Sequence, residues 1–428
     1  MAQATPMRSI IFTGIHHMSS VYWQRNLAIC FFGSFINIVA MTLLLPFLPI
    51  YIEQLGVEGH AQIVQWSGIA YGATFLSAAL VAPLWGRLAD RYGSKQNLIR
   101  ASLGMVVSMA LIGLAQNVWQ LVLLRFLVGL AGGYTSGSYV IVAAQTPKDR
   151  SAWALGTLAS GIMAGSLVGP LIGGVLPAVL DIRSIFFLAS ACIFLNFLAT
   201  CLFVREEKRV APARTNAAPP PATDAGLSNN QRTVVFSMLA TASLLMVANM
   251  SIEPIITVYV QQLVEAAGSV TFYAGLTMSA AALGSIISAP RLGKIADRIG
   301  GLKVVAASLA LAGLLLIPQA FVSDIWQLIA LRFCMGLALG GLLPCVTALI
   351  RHNVDDRSVG RMLGYSTSAQ YAGQVLGPVA GGFFAGHIGI RSVFIATCVL
   401  LLGCALWIGQ LSVQQRRKAL CDKLPVDV

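Results

Sequence analysis

An internal duplication restricts the fold of this chain more than any other feature of its sequence. The loop motif Gly-Arg-Leu-Ala-Asp-Arg-Tyr-Gly at residues 86–93 lies between two long apolar runs. It recurs 207 residues downstream as Gly-Lys-Ile-Ala-Asp-Arg-Ile-Gly at residues 293–300. The pattern Trp-Gln-Leu-x2-Leu-Arg-Phe-x2-Gly-Leu-Ala keeps the same offset and begins at both Trp119 and Trp326. Because each copy of such a repeat forms a similar unit, the chain is expected to fold as two similar halves.

A glycine-rich block is the third repeated feature. The pattern Gly-x8-Gly-x3-Gly-Pro-x2-Gly-Gly occupies residues 156–174 and returns at residues 364–382. Glycines four residues apart share one helix face, and close backbone contact between small residues stabilises helix pairs in lipid. The proline of each block bends its helix. The block predicts tight helix packing at Gly156, Gly165, Gly169, Pro170, Gly173, Gly174, Gly373, Gly377, Pro378 and Gly381.

The composition indicates a membrane protein. Only 10% of the residues are charged and 57% are hydrophobic, whereas a soluble domain carries about 25% charged residues. About 20 apolar residues span a bilayer as a helix. We therefore predict an all-α membrane protein with twelve transmembrane helices in two pseudo-symmetric six-helix bundles. The predicted spans are 27–52, 65–84, 97–116, 119–144, 152–178, 184–204, 233–262, 270–291, 302–321, 325–350, 359–385 and 390–411.

The basic residues predict the orientation of the chain in the membrane. The net charge is +12, and 24 of the 28 lysines and arginines fall in the termini and in alternate loops. This positive-inside distribution predicts that both termini are cytoplasmic, and it argues against nucleic acid as a partner. No signal peptide cleavage site is evident, and a start at either Met1 or Met18 fits the pattern. The expected segments are an N-terminal tail 1–24, bundles 25–204 and 232–411, a disordered linker 205–231 and a basic tail 412–428.

Three motifs in register in both halves resemble those of the major facilitator superfamily. The loop motif at 86–93 resembles the family loop between helices two and three, and Arg125 followed by Gly129 resembles the helix-four motif. The glycine block resembles the helix-five motif of the drug/proton antiporters. The resemblance implies secondary active efflux of hydrophobic drugs in exchange for protons by alternating access, with substrate bound near the membrane midplane. It implies the proton gradient as the energy source, a bacterial inner-membrane location and a monomer.

The resemblance also implies a gate at the repeated loop. Its members are Gly86, Asp90, Arg91, Gly93, Lys95, Gly293, Asp297 and Arg298. Glycine permits tight turns, so both glycines of each copy are expected to reverse the chain. In the family the acid latches the two halves on the cytoplasmic side. The resemblance therefore implies that Asp90 contacts the start of helix eleven near Val359. The alternative is a solvated basic turn.

Two ionisable residues inside predicted spans are candidates for proton coupling. Charged residues in membrane helices are expensive and usually functional. The resemblance implies a role in proton movement for Arg125. For Arg332, its counterpart in the second half, we expect a structural role. Among 16 acids only Glu253 lies well inside a span, at the position that Leu45 occupies in the first half. A carboxylate removed from water favours its protonated form, so Glu253 is a candidate proton carrier; a wetted position at the outer mouth is the alternative.

Aromatic, methionine and amide side chains give an adaptable cavity for varied substrates. The candidate lining residues are Asn37, Met41, Tyr71, Phe75, Tyr134, Tyr139, Asn249, Gln370, Tyr371 and Gln374. No phosphate-binding loop, metal cluster or enzyme site is evident in the sequence, so we expect no cofactor and no metal. The expected partners are small-molecule drugs, protons and the lipid bilayer. An exporter of one specific metabolite and a non-transporting membrane sensor are the alternative functions.

Overall fold

The computed structural model describes residues 8–147, 149–206, 229–354 and 356–421. Within these ranges every regular element is helical. The α-helices are α1 Arg8–Thr42, α2 Leu48–Gln54, α3 His60–Tyr92, α4 Ser94–Gly113, α5 Val118–Ala131, α6 Tyr134–Gln145, α7 Ser151–Val175, α8 Ile182–Phe203, α9 Asn229–Leu263, α10 Val270–Ile299, α11 Gly301–Gln319, α12 Ile325–Leu339, α13 Leu342–His352, α14 Asp356–His387 and α15 Ile390–Cys421.

The described residues contain eleven stretches that are long and apolar enough to cross a membrane. Helix α14 lies between the last two of these stretches, at the place of the predicted eleventh span. Helices α1–α8 form the N-terminal bundle and helices α9–α15 form the C-terminal bundle. The predicted linker lies mostly outside the described residues, as do the start of the N-terminal tail and residues 422–428 of the basic tail.

The first predicted span is broken where its prolines lie. Helix α1 ends at Thr42, a short 3-10 turn covers Leu45–Phe47, and α2 then runs to Gln54. Pro46 and Pro49 each occupy a first-turn position of the element that they start. Proline is tolerated there because the first amide groups of a helix have no intrahelical acceptor. The chain therefore changes from one helix to the next at these prolines.

The predicted fourth and tenth spans are each divided by glycine pairs. Helix α5 gives way to α6 at Gly132 and Gly133, and Gly133 has a left-handed φ of 114°. Arg100 Nη1 and Nη2 donate to the carbonyls of Leu130 and Gly132 at 3.2 and 2.7 Å. The ring of Trp85 lies 3.4 Å beneath the Arg100 guanidinium. Arg100, expected only as an orientation signal, therefore supplies the hydrogen bonds that this helix break needs.

The repeated loop differs from the expectation in one respect. Gly86 lies inside α3 and Gly293 lies inside α10, so neither turns the chain. Only Gly93 and Gly300 do so, with φ of 99° and 101° between consecutive helices. Positive φ strains any residue that has a Cβ. The prediction of two turn glycines in each copy was wrong, because the helix continues through the first glycine.

Each half buries its own apolar core, and equivalent tyrosines brace the two cores. Tyr51 donates to the carbonyl of Ile112 at 2.6 Å. Tyr259, its counterpart in the second half, donates to the carbonyl of Gln319 at 2.8 Å. Both bonds satisfy buried groups inside a single bundle, as buried polar groups require. The duplication thus extends from the sequence to the packing of side chains.

The bundles meet through glycines on two symmetry-related helix pairs, α3 with α14 and α7 with α10. A Cβ on Gly68 would meet the backbone carbonyl of Pro378, and a Cβ on Gly275 would meet that of Pro170. A Cβ on Gly174 would lie 2.7 Å from the carbonyl oxygen of Thr271. Backbone lies against backbone in both pairs, which is the close approach that small residues permit in membrane helices.

The two bundles are apart at the opposite end, which carries the repeated loops. Among the described residues, nothing lies within 4 Å of a Cβ added at Gly86, Gly156, Gly293 or Gly364. These glycines belong to the same four helices whose other ends are in backbone contact. The molecule is therefore closed at the end of Gly68 and Gly275 and open at the end of the repeated loops.

Candidate functional site

A buried pocket lies between the bundles near the middle of their helices. It has a volume of about 360 Å³ and is lined from both halves, by Tyr71 and Thr42 on one side and by Asn249, Glu253 and Met278 on the other. A second pocket of about 220 Å³ adjoins it and shares Asn249 and Ser285 among its lining residues. Arg332 lines this second pocket. Most of the lining is apolar, with a few polar groups that face one another, as is typical of small-molecule sites.

Glu253 is bound directly to the other bundle. The hydroxyl of Tyr71 on α3 donates to Glu253 Oε2 at 3.0 Å. Glu253 lies on α9, one residue before Pro254, so it belongs to the C-terminal bundle. The half-buried carboxylate lines the pocket between the bundles. This is the position that the sequence predicted for a proton carrier, while its role in coupling stays a prediction.

Arg125 lies behind Tyr71, deep in the N-terminal bundle. Its side chain is 1% exposed, and its guanidinium carbon lies 5.7 Å from the centroid of the Tyr71 ring. Nε donates to the carbonyl of Ala70 at 3.4 Å, while Nη1 has no hydrogen-bond partner among the described residues. The Thr74 hydroxyl donates to the Arg125 carbonyl at 3.0 Å. Arg125 is thus held against α3 and supports the tyrosine that contacts Glu253.

Arg332 occupies the equivalent place in the second half and faces the pocket. It is 4% exposed, and Nε and Nη2 lack hydrogen-bond partners within the described part of the chain. It lies close enough to Glu253 for their charges to interact. An unpaired buried cation is costly unless a counter-charge or water compensates it. Arg332 therefore lies at a cavity, next to the pocket that Glu253 lines, and its role stays a prediction.

The other predicted cavity residues fall into three groups. Tyr371 lines a separate cavity of about 330 Å³ nearer the open end. Phe75 packs edge-to-face on Tyr71, with ring centroids 5.1 Å apart. Gln370 Nε2 donates to Ser366 Oγ at 3.5 Å, and Gln374 Nε2 approaches the sulfur of Met246 at 3.6 Å. These side chains lie around the bundle interface on α3 and α14.

The remaining four lie against the N-terminal bundle's own helices. Asn37 Nδ2 donates to the carbonyl of Gly33 on its own helix at 2.8 Å. The Tyr134 hydroxyl lies 3.1 Å from Thr200 Oγ1 on α8. Tyr139 and Met41 pack against the apolar cores of this bundle. Helical spacing alone did not show which face of α1 or α6 these residues occupy.

The glycine stripes of α7 and α14 pack mainly against helices of their own bundle. A Cβ on Gly165 would lie 2.9 Å from the carbonyl of Phe35, and one on Gly169 would meet the hydroxyl of Thr42, both on α1. In the second half, a Cβ on Gly377 would lie 2.9 Å from the Met250 side chain on α9. These stripes pack helices within one bundle. The other bundle is contacted by Gly174 and Gly382, at the ends of the two blocks, and by the block prolines Pro170 and Pro378.

The repeated loop is anchored to its own bundle by an acid that the sequence analysis missed. Glu206, just beyond α8, accepts hydrogen bonds from the backbone amides of Ser94 and Lys95 at 2.8 and 2.7 Å. Lys95 Nζ donates to the carbonyl of Cys201 at 3.0 Å. A carboxylate at the start of α4 satisfies amides that no helical acceptor reaches. The only sequence signal was an acid among the basic residues that follow the sixth span.

The proposed latch itself stays a prediction. The side chain of Asp90 lies outside the described residues, and Asp297 is exposed at the open end. Arg91 lies over the ring of Tyr92, 5.4 Å from its centroid, and Val359 packs against the core of its own bundle.

Comparison with known proteins agrees with this architecture. The family model described as Major Facilitator Superfamily matches residues 30–301 and 263–420. The chain belongs to the major facilitator superfamily. Members of this superfamily are transporters and not enzymes, and the fold makes this chain a multi-pass membrane protein.

Curated relatives within the superfamily cover almost the whole chain. It is 42% identical over 395 residues to the multidrug resistance protein MdtG of Enterobacter lignolyticus, covering 91% of this chain and 92% of that protein. It is 40% identical over 403 residues to MdtG of Citrobacter koseri, covering 94% and 98%.

Solved structures share the fold at low identity. A bacterial homologue of the human lysosomal transporter Spinster, inward-facing and unoccupied, superimposes with a TM-score of 0.71 at 16% identity, covering 95% of this chain and 99% of that one. A peptide transporter in complex with sulfate gives a TM-score of 0.72 at 15% identity, covering 91% and 94%. Identity this low supports the fold alone.

Proposed function

We propose that this protein is a secondary active multidrug efflux transporter of the bacterial inner membrane, which exchanges drugs for protons by alternating access. Its relatives at about 40% identity are multidrug resistance proteins that match nearly their full length. The observation that carries the proposal is Glu253, a half-buried carboxylate that lines a largely apolar pocket between the two bundles. One such group is sufficient to bind either a proton or a substrate at the same place.

The geometry suits alternating access. The bundles touch through backbone at one end and are separate at the other, with the pocket between these ends. Rocking one bundle against the other would open the pocket to each side in turn. With both termini cytoplasmic, as the positive-inside pattern favours, the open end of this structure faces the cytoplasm. Drugs would then enter the pocket from the cytoplasm or the inner leaflet.

The chemistry of the cycle follows from the charge of Glu253. In the outward-open state the carboxylate takes up a proton, and in the inward-open state it releases that proton to the cytoplasm. A drug that enters from the cytoplasm then occupies the apolar lining, where aromatic and methionine side chains adapt to varied shapes. No cofactor takes part, the proton gradient supplies the energy, and the monomer contains the complete pathway.

A susceptibility panel in a pump-deleted host tests the function. Expression is expected to raise resistance to several chemically unrelated drugs, and a protonophore should abolish that resistance. A narrow profile would favour the exporter of one metabolite. Counterflow of a labelled substrate in proteoliposomes separates both from a non-transporting sensor, which would show none.

The role of Glu253 has its own test. The Glu253→Gln variant keeps the shape and the hydrogen-bond acceptor but cannot titrate. It is expected to lose drug accumulation against a gradient while it retains downhill exchange, because only the proton coupling is removed. Pumping against a gradient at the wild-type rate would show that the proton takes another route.

A further inference from the structure

The side chain of Tyr71 lies between Arg125 and Glu253, the two candidate proton-coupling residues, which belong to different bundles. Tyr71 is 5% exposed and donates to Glu253 Oε2 at 3.0 Å across the bundle interface. Its ring lies against Arg125 on one side, with Phe75 edge-to-face on another. The ring is therefore held by its own bundle, while its hydroxyl is bound to the other bundle.

We propose that Tyr71 is a positioning residue that transmits the charge of Glu253 to the contact between the bundles; this rests on the proposed exchange of protons. An ionised carboxylate accepts a charge-assisted hydrogen bond, which is roughly twice as strong as one between neutral groups. A protonated Glu253 accepts from Tyr71 only as a neutral group. The strength of this link between the bundles thus depends on whether the proton is bound.

Arg125 makes this link rigid. The guanidinium carbon lies 5.7 Å from the centre of the Tyr71 ring, and Nε donates to the carbonyl of Ala70, the residue before Tyr71 on α3. The Tyr71 ring thus lies over a fixed cation. A tyrosine that swung freely would follow Glu253 as the bundles moved, whereas a fixed one loses its hydrogen bond. The arrangement explains an arginine this deep in the N-terminal bundle, where it has no acid partner within the described residues.

The link opposes a change of state in the empty transporter. In the open-loop state seen here, a charged Glu253 holds both bundles through Tyr71. Rocking would break this hydrogen bond and leave a buried charge without its donor, which is unfavourable. Proton binding weakens the bond, and a drug that takes the place of the hydroxyl removes it. Either ligand therefore permits the change of state. The protein with neither ligand bound stays in the open-loop state, which prevents transport of one ligand without the other.

Two groups face Glu253 from the helices packed around it. Tyr71 faces it from α3, and Arg332 faces it from α12. Arg332 acts within the C-terminal bundle, so it stabilises the charge of Glu253 without joining the two bundles. The Tyr71→Phe change consequently separates the two effects, because it removes only the bond that crosses the interface and keeps the ring on Arg125.

Double electron–electron resonance measures the link directly. Spin labels go on Tyr92→Cys and Ile299→Cys, exposed residues that end α3 and α10 at the open loop side. The exposed Cys192 and Cys334 and the half-buried Cys201 are first replaced by serine, as is Cys421, while the buried cysteines are left in place. The labelled protein without further substitutions should show a population with a long distance between the two labels. This population should be largest at high pH, where Glu253 is charged, and should fall as the pH is lowered.

The variants then distinguish the hypotheses. Tyr71→Phe and Glu253→Gln should each lose the pH-dependent shift, and the double variant should be no flatter than either single one. Tyr259→Phe is the matched control, since it removes a buried tyrosine hydrogen bond inside one bundle; it should keep the wild-type pH profile. Proteoliposomes with Tyr71→Phe should retain downhill exchange but reach a smaller drug gradient, because the empty carrier slips.

Two outcomes overturn different statements. If Tyr71→Phe keeps the wild-type pH profile while Glu253→Gln loses it, Glu253 carries the proton and Tyr71 does not transmit its charge. If Glu253→Gln keeps the profile, the proton binds elsewhere and the proposed coupling fails with it. A flat profile in Tyr259→Phe would show that any lost buried hydroxyl has this effect, and would also overturn the role of Tyr71.

Discussion

Replacing one glycine at the closed end should shift the balance between the two states of the transporter. In Gly68→Ala the new methyl group would lie 3.0 Å from the carbonyl carbon of Pro378 and closer still to its oxygen, with Gly382 Cα at 3.3 Å. All three obstacles are backbone atoms, so no rotamer change relieves the overlap. The methyl group therefore fits only if α3 and α14 move apart.

The size of the shift follows from where the overlap occurs. Overpacking by a methylene-sized group costs about 1–3 kcal/mol. Because the contact exists only when this end is closed, the cost falls on one state and not on the other. A differential of that size changes a two-state equilibrium about 5- to 150-fold. Gly68→Ala should thus favour the state that is open at this end, and drug efflux should slow because return to the closed state is impeded.

Two measurements test this expectation: the distance between spin labels on the closed ends, by double electron–electron resonance, and the rate of drug transport. The matched control is Gly156→Ala, whose methyl group has nothing within 4 Å among the described residues. That variant should keep the wild-type distance distribution in this state. Equal distributions and equal efflux for Gly68→Ala and the wild-type protein would refute the argument that this backbone contact defines the closed end.

Three further predictions concern other parts of the chain. Asp90→Asn should insert and fold normally but lose most transport, if the loop latches the bundles in the opposite state; normal efflux at normal expression would contradict this. Gly169→Ala should lower the melting temperature, because its methyl group is forced into α1 of the same bundle, and an unchanged melting temperature would show that α1 gives way. Arg100→Met should leave the Gly132 carbonyl without its donor, at about 1–3 kcal/mol, while the Leu130 carbonyl keeps the bond from Trp85 Nε1; thermal unfolding should show the loss, while Arg87→Met at an exposed position should show none.

The sequence alone determined the architecture of this protein. Apolar spans of membrane length, basic residues in alternate loops and three motifs repeated in register were sufficient to predict two six-helix bundles. These signals are local or periodic, so they survive in a single sequence. The sequence also singled out Glu253, because an acid inside a membrane span is rare enough to be informative without any neighbours.

Only the tertiary structure decided which helix faces meet. The glycine stripes of α7 and α14 pack on α1 and α9 of their own halves, a pairing that their four-residue spacing did not show. Spacing shows that residues share a face, but it carries no information on what that face contacts. The same limit applies to Tyr134 and Tyr139, which were expected in the cavity and lie within the N-terminal bundle.

The hydrogen bonds that support the helix breaks and loops, and the one that joins the bundles, were also visible only in the tertiary structure. Arg100 and Glu206 lie in segments that the sequence marked only as basic loops, because their acceptors and donors come from distant helices. The contact between Tyr71 and Glu253 joins residues 182 positions apart. A hydrogen bond between two bundles depends on how they pack as bodies, and no local pattern in either helix records it.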